Sequence, residues 1–284
     1  MVAKKSSRFP VRRPRIYIFI FSVIFIFACA GIGFFIHSTS SDYIVETNAF
    51  FAPFEFYEGA KIKGVDVEIM QRVADNMNKK IKIVNVDFAV IIDNVEQGRV
   101  ADAGAAGITI TPARAEKVNF SLPYYTSSQY LIYQPQNPPF IQNHYVLFSS
   151  LANKKIGTQI DTTGFIFTSN EIDDGVLTNT GATLKGFESA QLAADGILAG
   201  LVDFVVIDEL PAKYIVNKNP RLACLPLFYS GEPDYPVQES YAIAVNKNRP
   251  ELLQAINDTL SKMLEKDTNG ESEIERLVIK YMGV

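Results

Sequence analysis

ADAGAAGITITPARAEKVNFSLPYY, running from Ala101 to Tyr125, is the stretch from which the fold is read. Ala103 to Gly107 is a run of small residues, which lets backbone N–H and C=O groups come close to a bound molecule. Ile108, Thr109, Ile110 and Thr111 alternate apolar and hydroxyl side chains, which predicts a strand end. Thr111-Pro112 then supplies an N-cap hydroxyl with proline at the first helical position. Arg114 falls in the first turn of that helix, where the macrodipole disfavours a cation. Helix physics does not account for it, whereas a bound anion does.

Upstream, Tyr43 to Thr47 reads as a strand, and Asn48 to Phe56 as a loop dense in phenylalanine. Val65, Ile69, Val73 and Met77, spaced by four after Gly64, predict an amphipathic helix that ends near Lys79 and Lys80. Ile81 to Val86 alternates as a strand, and Ala89 to Glu96 forms a helix closed by Gly98. This β-α-β-α-β order signals a parallel sheet with crossover helices. Downstream, Gln129 to Tyr133 reads as sheet, and Pro135, Pro138 and Pro139 mark a boundary. A second α/β pattern starts at Lys155, turns through Asp161 to Gly164, and includes a helix from about Glu188 to Ala199. The apolar run before Asp208 is typical of a strand buried on both faces, with a carboxylate at its end. Strands over Leu222–Phe228 and Tyr241–Asn246, and helices over Pro250–Glu265 and Glu271–Tyr281, complete the chain.

Charge is divided unevenly. Six of the 27 basic residues, Lys4, Lys5, Arg8, Arg12, Arg13 and Arg15, come before the first acidic one, Asp42, which leaves 21 against 31 in the remainder. An acidic body argues against nucleic acid as a partner. Residues 1–15 thus form a basic cytoplasmic tail. Residues 16–36 carry no charge and are long enough to span a bilayer, with the body outside by the positive-inside rule and 37–42 as tether. An uncleaved anchor, a cleaved signal peptide and a lipidated Cys29 in a lipoprotein-like Ile26-Phe27-Ala28-Cys29 box all fit this segment. All three place the body outside the cytoplasmic membrane. Cys29 and Cys224 are the two cysteines, and His37 and His144 lack partners at ligand spacing, so neither a disulfide nor a metal site is expected, and no cofactor motif occurs.

Phe51-Ala52-Pro53-Phe54-Glu55, Gly64-Val65-Asp66-Val67-Glu68, Gly107-Ile108-Thr109-Ile110-Thr111-Pro112 with Arg114, Phe120-Ser121 with Pro123-Tyr124, and Val202-Asp203 with Asp208 occur in the order and spacing of one family. From about Tyr43 to Val284 the chain resembles bacterial extracytoplasmic solute-binding proteins of the polar amino-acid type, the glutamine- and histidine-binding receptors of ABC transporters. The resemblance implies an α/β, two-lobe periplasmic-binding-protein fold with two hinge strands, here preceded by one N-terminal transmembrane or signal helix. Lobe one would hold 43–127 and 226–284, and lobe two 128–225. It further implies that Arg114 pairs with a ligand carboxylate, that Ala106, Gly107 and Thr109 add hydrogen bonds, and that Thr162 and Thr163 donate at a helix start. Asp208 would accept the ammonium, and Phe51 would cover the side chain. Asn48 stands where many members carry an aspartate that reads cationic side chains, and Gln159 can offer an amide, so a neutral polar amino acid is preferred. Asp161 replaces a common glycine.

The expected function is capture of an amino acid for an ABC permease by a monomer. A membrane-anchored sensory module and a dehydratase-like enzyme on the same scaffold are the alternatives. No pair of titratable groups is set apart for catalysis.

Overall fold

The computed structural model describes residues 41–231 and 234–283. The basic tail, the 16–36 segment, Cys29 and most of the tether lie outside them. Among the described residues no helix is long and apolar enough to cross a membrane.

β1 (Tyr43–Thr47) is followed by a small antiparallel sheet of β2 (Phe50–Phe51), β3 (Glu55–Glu58) and β4 (Lys61–Lys63). Gly64, at φ +134°, opens α1 (Val65–Met77); a Cβ there would lie 2.1 Å from the Phe54 carbonyl oxygen, so the close approach requires glycine. The predicted stripe is buried at Val65, Ile69 and Val73, and Met77 is partly buried. β5 (Ile81–Asn85) runs parallel to β1, and α2 (Phe88–Gln97) ends at Gly98 in the left-handed region. β6 (Ala103–Gly104), α3 (Pro112–Lys117) and β7 (Asn119–Phe120) lead into the long β8 (Tyr125–Tyr133). Beyond β9 (Val146–Leu147) the second α/β run is β10 (Lys155–Gln159), α4 (Thr163–Asp173), β11 (Thr183–Phe187), α5 (Ala190–Leu198), β12 (Phe204–Asp208) and α6 (Glu209–Lys218). The chain closes through β13 (Ala223–Tyr229), β14 (Tyr235–Pro236), β15 (Gln238–Tyr241), β16 (Ala244–Val245), α7 (Pro250–Met263) and α8 (Glu273–Met282).

Two sheets result. The first has the order β5-β1-β6-β16-β7, and the second β11-β10-β12-β8-β13-β14. β8 and β15 connect them. The first half of β8 pairs antiparallel with β15, Tyr125 opposite Tyr241 and Ser128 opposite Gln238, while its second half pairs with β12 and β13. The carboxyl ends of β1 and β12 face the region between the sheets, where open α/β sheets place their ligands.

Two strand expectations need correction. Ile108 to Thr111 is not a strand; Thr109 makes a single bridge to Tyr241, because Gly107 at φ +54° turns the chain and Thr111 is committed to capping α3. Tyr241 to Asn246 splits at Ala242-Ile243, where the chain leaves its pairing with β8 and joins the first sheet as β16.

Candidate functional site

Arg114 is placed by its helix start. The Thr111 hydroxyl accepts from the Arg114 backbone N–H, which fixes the first turn of α3. The guanidinium is nine-tenths buried. It donates through Nη1 to the Thr109 carbonyl at 2.9 Å and through Nη2 to the Asp161 carbonyl at 2.7 Å, and it lies 5.4 Å from the centre of the Phe88 ring. Arginine has five N–H donors, so two backbone acceptors leave it able to grip a carboxylate. Burial lowers its pKa, opposed by the charges of Glu239, Asp208 and Asp161. Asp161 holds φ +61°, the left-handed backbone that explains a glycine at this place and that turns its carbonyl to Arg114.

Across the cleft Asp208 ends β12 and precedes α6, yet its side chain caps nothing. The Gln129 Nε2 amide donates to its Oδ1 at 3.1 Å and also to Oε1 of Glu239. The other Glu239 oxygen accepts the hydroxyls of Thr109, at 2.6 Å, and Thr163. Burial and the neighbouring Glu239 push Asp208 well above the usual carboxylate range. Thr163 is the first residue of α4. The Thr162 hydroxyl donates to the Gln159 carbonyl at 2.7 Å and accepts from the Phe165 N–H, so it is consumed in capping.

A second carboxyl pair lies beneath Gly107. Asp66 Oδ2 accepts the Gly107 N–H at 2.9 Å and Oδ1 accepts the Tyr124 hydroxyl at 2.6 Å. Burial still raises Asp66 to about 6 against these hydrogen bonds. No donor reaches either oxygen of Glu55, which is fully buried and lines the cleft. Burial, with Asp66 nearby, raises its pKa well above the usual carboxylate range. At the opposite end Asn48 donates to the Val86 carbonyl at 2.7 Å and accepts from Gln159 Nε2 at 3.0 Å.

Asn48, Phe51, Ala106, Gly107, Thr109, Arg114, Gln159, Thr162, Thr163 and Asp208 thus all line one cavity, together with Glu55 and Phe88. Phe51 packs so tightly on Gly107 that a Cβ there would lie 2.8 Å from its Cε1. Gln159 is buried and bonded to Asn48, and the Arg114 guanidinium bonds to the backbone carbonyls of Thr109 and Asp161. Sequence reasoning missed Glu239, Gln129 and Phe88. Val237, Glu239 and Tyr241 alternate as a buried face, so a carboxylate breaking an apolar period of two was the available signal.

The fold has counterparts. The family model described as bacterial extracellular solute-binding proteins, family 3, matches residues 43–283. A putative ABC transporter arginine-binding protein 2 of Escherichia coli (strain K12) is 28% identical over 238 residues, 83% of this chain and 91% of the relative. A probable histidine-binding protein of Neisseria gonorrhoeae is 27% identical over 240 residues, 84% and 82% of the two chains. The amino-acid ABC transporter substrate-binding protein AbpA of Streptococcus pneumoniae, solved bound to L-arginine, superposes with a TM-score of 0.72 at 26% identity, covering 85% of this chain and 94% of that one. With a match that runs from the first residue of β1 to the end of α8, the chain belongs to the bacterial extracellular solute-binding proteins, family 3.

Proposed function

We propose that the protein binds a polar amino acid between its two sheets and delivers it to an ABC permease. We assign lobe one to 43–127 and the chain from β15 onward, and lobe two to 128–236, because β13 and β14 pair in the second sheet and a return to lobe one at 226 would cut β13; the pairing of β8 with β15 supports the two crossings. The observation that carries this reading is Arg114, a buried guanidinium with donors to spare, facing the same cavity as Asp208. A zwitterion needs one fixed cation and one fixed anion. Ala106, Gly107 and Thr109 line its backbone end, Phe51 and Phe88 supply apolar walls, and the amides of Asn48 and Gln159 favour a neutral polar side chain. Thr162 serves by holding the start of α4. The protein works as a monomer outside the cytoplasmic membrane, tethered by residues 16–36, held by a lipid on Cys29, or released by cleavage of that segment.

A cationic side chain is the second reading. It is favoured by the ligands named for the relatives and by Glu55, whose ionisation a cation in the cavity would promote. Enzymatic turnover has no support in the family, whose members are solute-binding proteins.

A thermal-shift screen of the full-length chain against the common amino acids tests the proposal. Ligand at 100 times its Kd adds about 2.7 kcal/mol of stability, a readily measured rise in Tm. A shift with glutamine or asparagine alone supports the neutral reading, a shift with arginine or lysine the cationic one, and no shift with any amino acid refutes both.

A further inference from the structure

A threonine hydroxyl has one proton to give and two lone pairs to accept with. Thr109 and Thr163 stand on opposite sides of the cleft, 7% and 3% exposed, with their hydroxyl oxygens 3.4 Å apart. Each directs its proton to the same oxygen of Glu239, a residue of the crossing strand β15 that is itself 4% exposed. Both protons being committed, the two oxygens present only lone pairs to the cavity. Gln129 completes the set. Its Nε2 protons go to Glu239 and Asp208, which fixes the amide and holds the two carboxyl groups side by side.

We infer that Glu239 is the positioning residue of an ammonium subsite: it turns Thr109 and Thr163 into hydrogen-bond acceptors that, with Asp208, take the three N–H donors of a primary ammonium. This rests on the amino-acid reading above and deepens it, because it names the discriminating feature of the ligand. Three acceptors match a primary ammonium and mismatch a keto, hydroxy or deaminated acid, which leaves buried lone pairs unpaired. It also reverses the polarity expected from the helix start at Thr163. A hydroxyl that gives its proton to Glu239 cannot give it to a ligand carboxylate, so Arg114 and backbone N–H groups carry the anion.

The test uses the full-length chain in mild detergent and isothermal titration with L-arginine, L-histidine and L-glutamine, each beside its deamino analogue: 5-guanidinopentanoic acid, imidazolepropanoic acid and glutaramic acid. The readout is the ratio of association constants, amino acid over analogue, for the tightest pair. Glu239→Ala frees both hydroxyls to rotate, and the ratio should fall at least about tenfold, mostly through the amino acid. Glu239→Gln keeps one oxygen for the hydroxyls, and the ratio should fall by a smaller factor. A merely structural role lowers the Tm and weakens both ligands of a pair equally. An unchanged ratio in either folded variant overturns the inference, and where Glu239→Ala does not fold, Glu239→Gln decides alone. If the wild type binds none of the three, the pair is taken from whichever common amino acid it does bind; if it binds no common amino acid, the amino-acid reading falls and the inference with it, and binding with an unchanged ratio removes the inference only.

Discussion

Asp66 should make folding stability fall as pH rises through about 6. Its carboxyl lies beneath the cavity, accepting the Gly107 N–H and the Tyr124 hydroxyl, and burial raises its pKa from 3.8 to about 6. Because the folded value lies above the unfolded one, the folded state binds the extra proton. The associated stability is complete below about pH 4 and is lost as pH rises through about 6. A shift of about two units corresponds to ~3 kcal/mol. Glu55 and Asp208 are raised as well, so they act in the same direction. The lowered carboxylates, such as Glu275 at about 2, act in the opposite direction up to their unfolded values, but they are common to both proteins and cancel in a comparison with a variant. Asp66→Asn removes the titration but offers one acceptor to two donors, which costs about 1–3 kcal/mol. Urea unfolding of both proteins from pH 4 to 7 should find the variant less stable at pH 4, with the gap closing by ~3 kcal/mol by pH 7. Parallel pH profiles, or a wild type that gains stability between pH 5 and 6.5, refute the assignment of a buried proton to Asp66.

Other substitutions address the cavity directly. Arg114→Lys keeps a charge but cannot serve the Thr109 and Asp161 carbonyls and a ligand carboxylate together; titration calorimetry should show binding weakened by ~1.5–3 kcal/mol, roughly 10- to 150-fold. Gly107→Ala puts a methyl 2.8 Å from Phe51 Cε1 at a φ of +54°, so chemical unfolding should report a loss of ~1–3 kcal/mol together with weaker binding. Asn48→Asp removes the donor to Val86 and adds an anion beside Gln159; the affinity for L-arginine relative to L-glutamine should rise by about tenfold, equivalent to ~1.4 kcal/mol.

Helix α1 and the turn into α3 were legible because their signals are local: apolar residues spaced by four in one case, Thr111-Pro112 in the other. Arg114 was legible as a cation near a helix start that local helix physics does not favour; its bonds to the Thr109 and Asp161 carbonyls were not. Asp208 was legible as a carboxylate ending a strand buried on both faces. What escaped depends on partners distant in sequence. Glu239 meets Thr109 across 130 residues and Gln129 across 110, and no local pattern reports such meetings. Asn48 and Gln159 were expected to face a ligand, but their bond to each other across 111 residues arises from the approach of the two sheets. The break within Tyr241–Asn246 has the same origin, since both parts have strand-like composition and only the sheet each joins separates them.

On the proposed function, Arg114 and the cleft around it hold the carboxylate of an amino acid. Isothermal titration of the full-length wild type and Arg114→Ala with the twenty common amino acids tests it most directly. One-to-one binding of at least one polar amino acid by the wild type, lost or weakened by at least about 100-fold in the variant, is the predicted result, as befits removal of a charge-assisted bidentate pair worth ~3 kcal/mol. Equal affinities in the two proteins, or no binding by either, would contradict it.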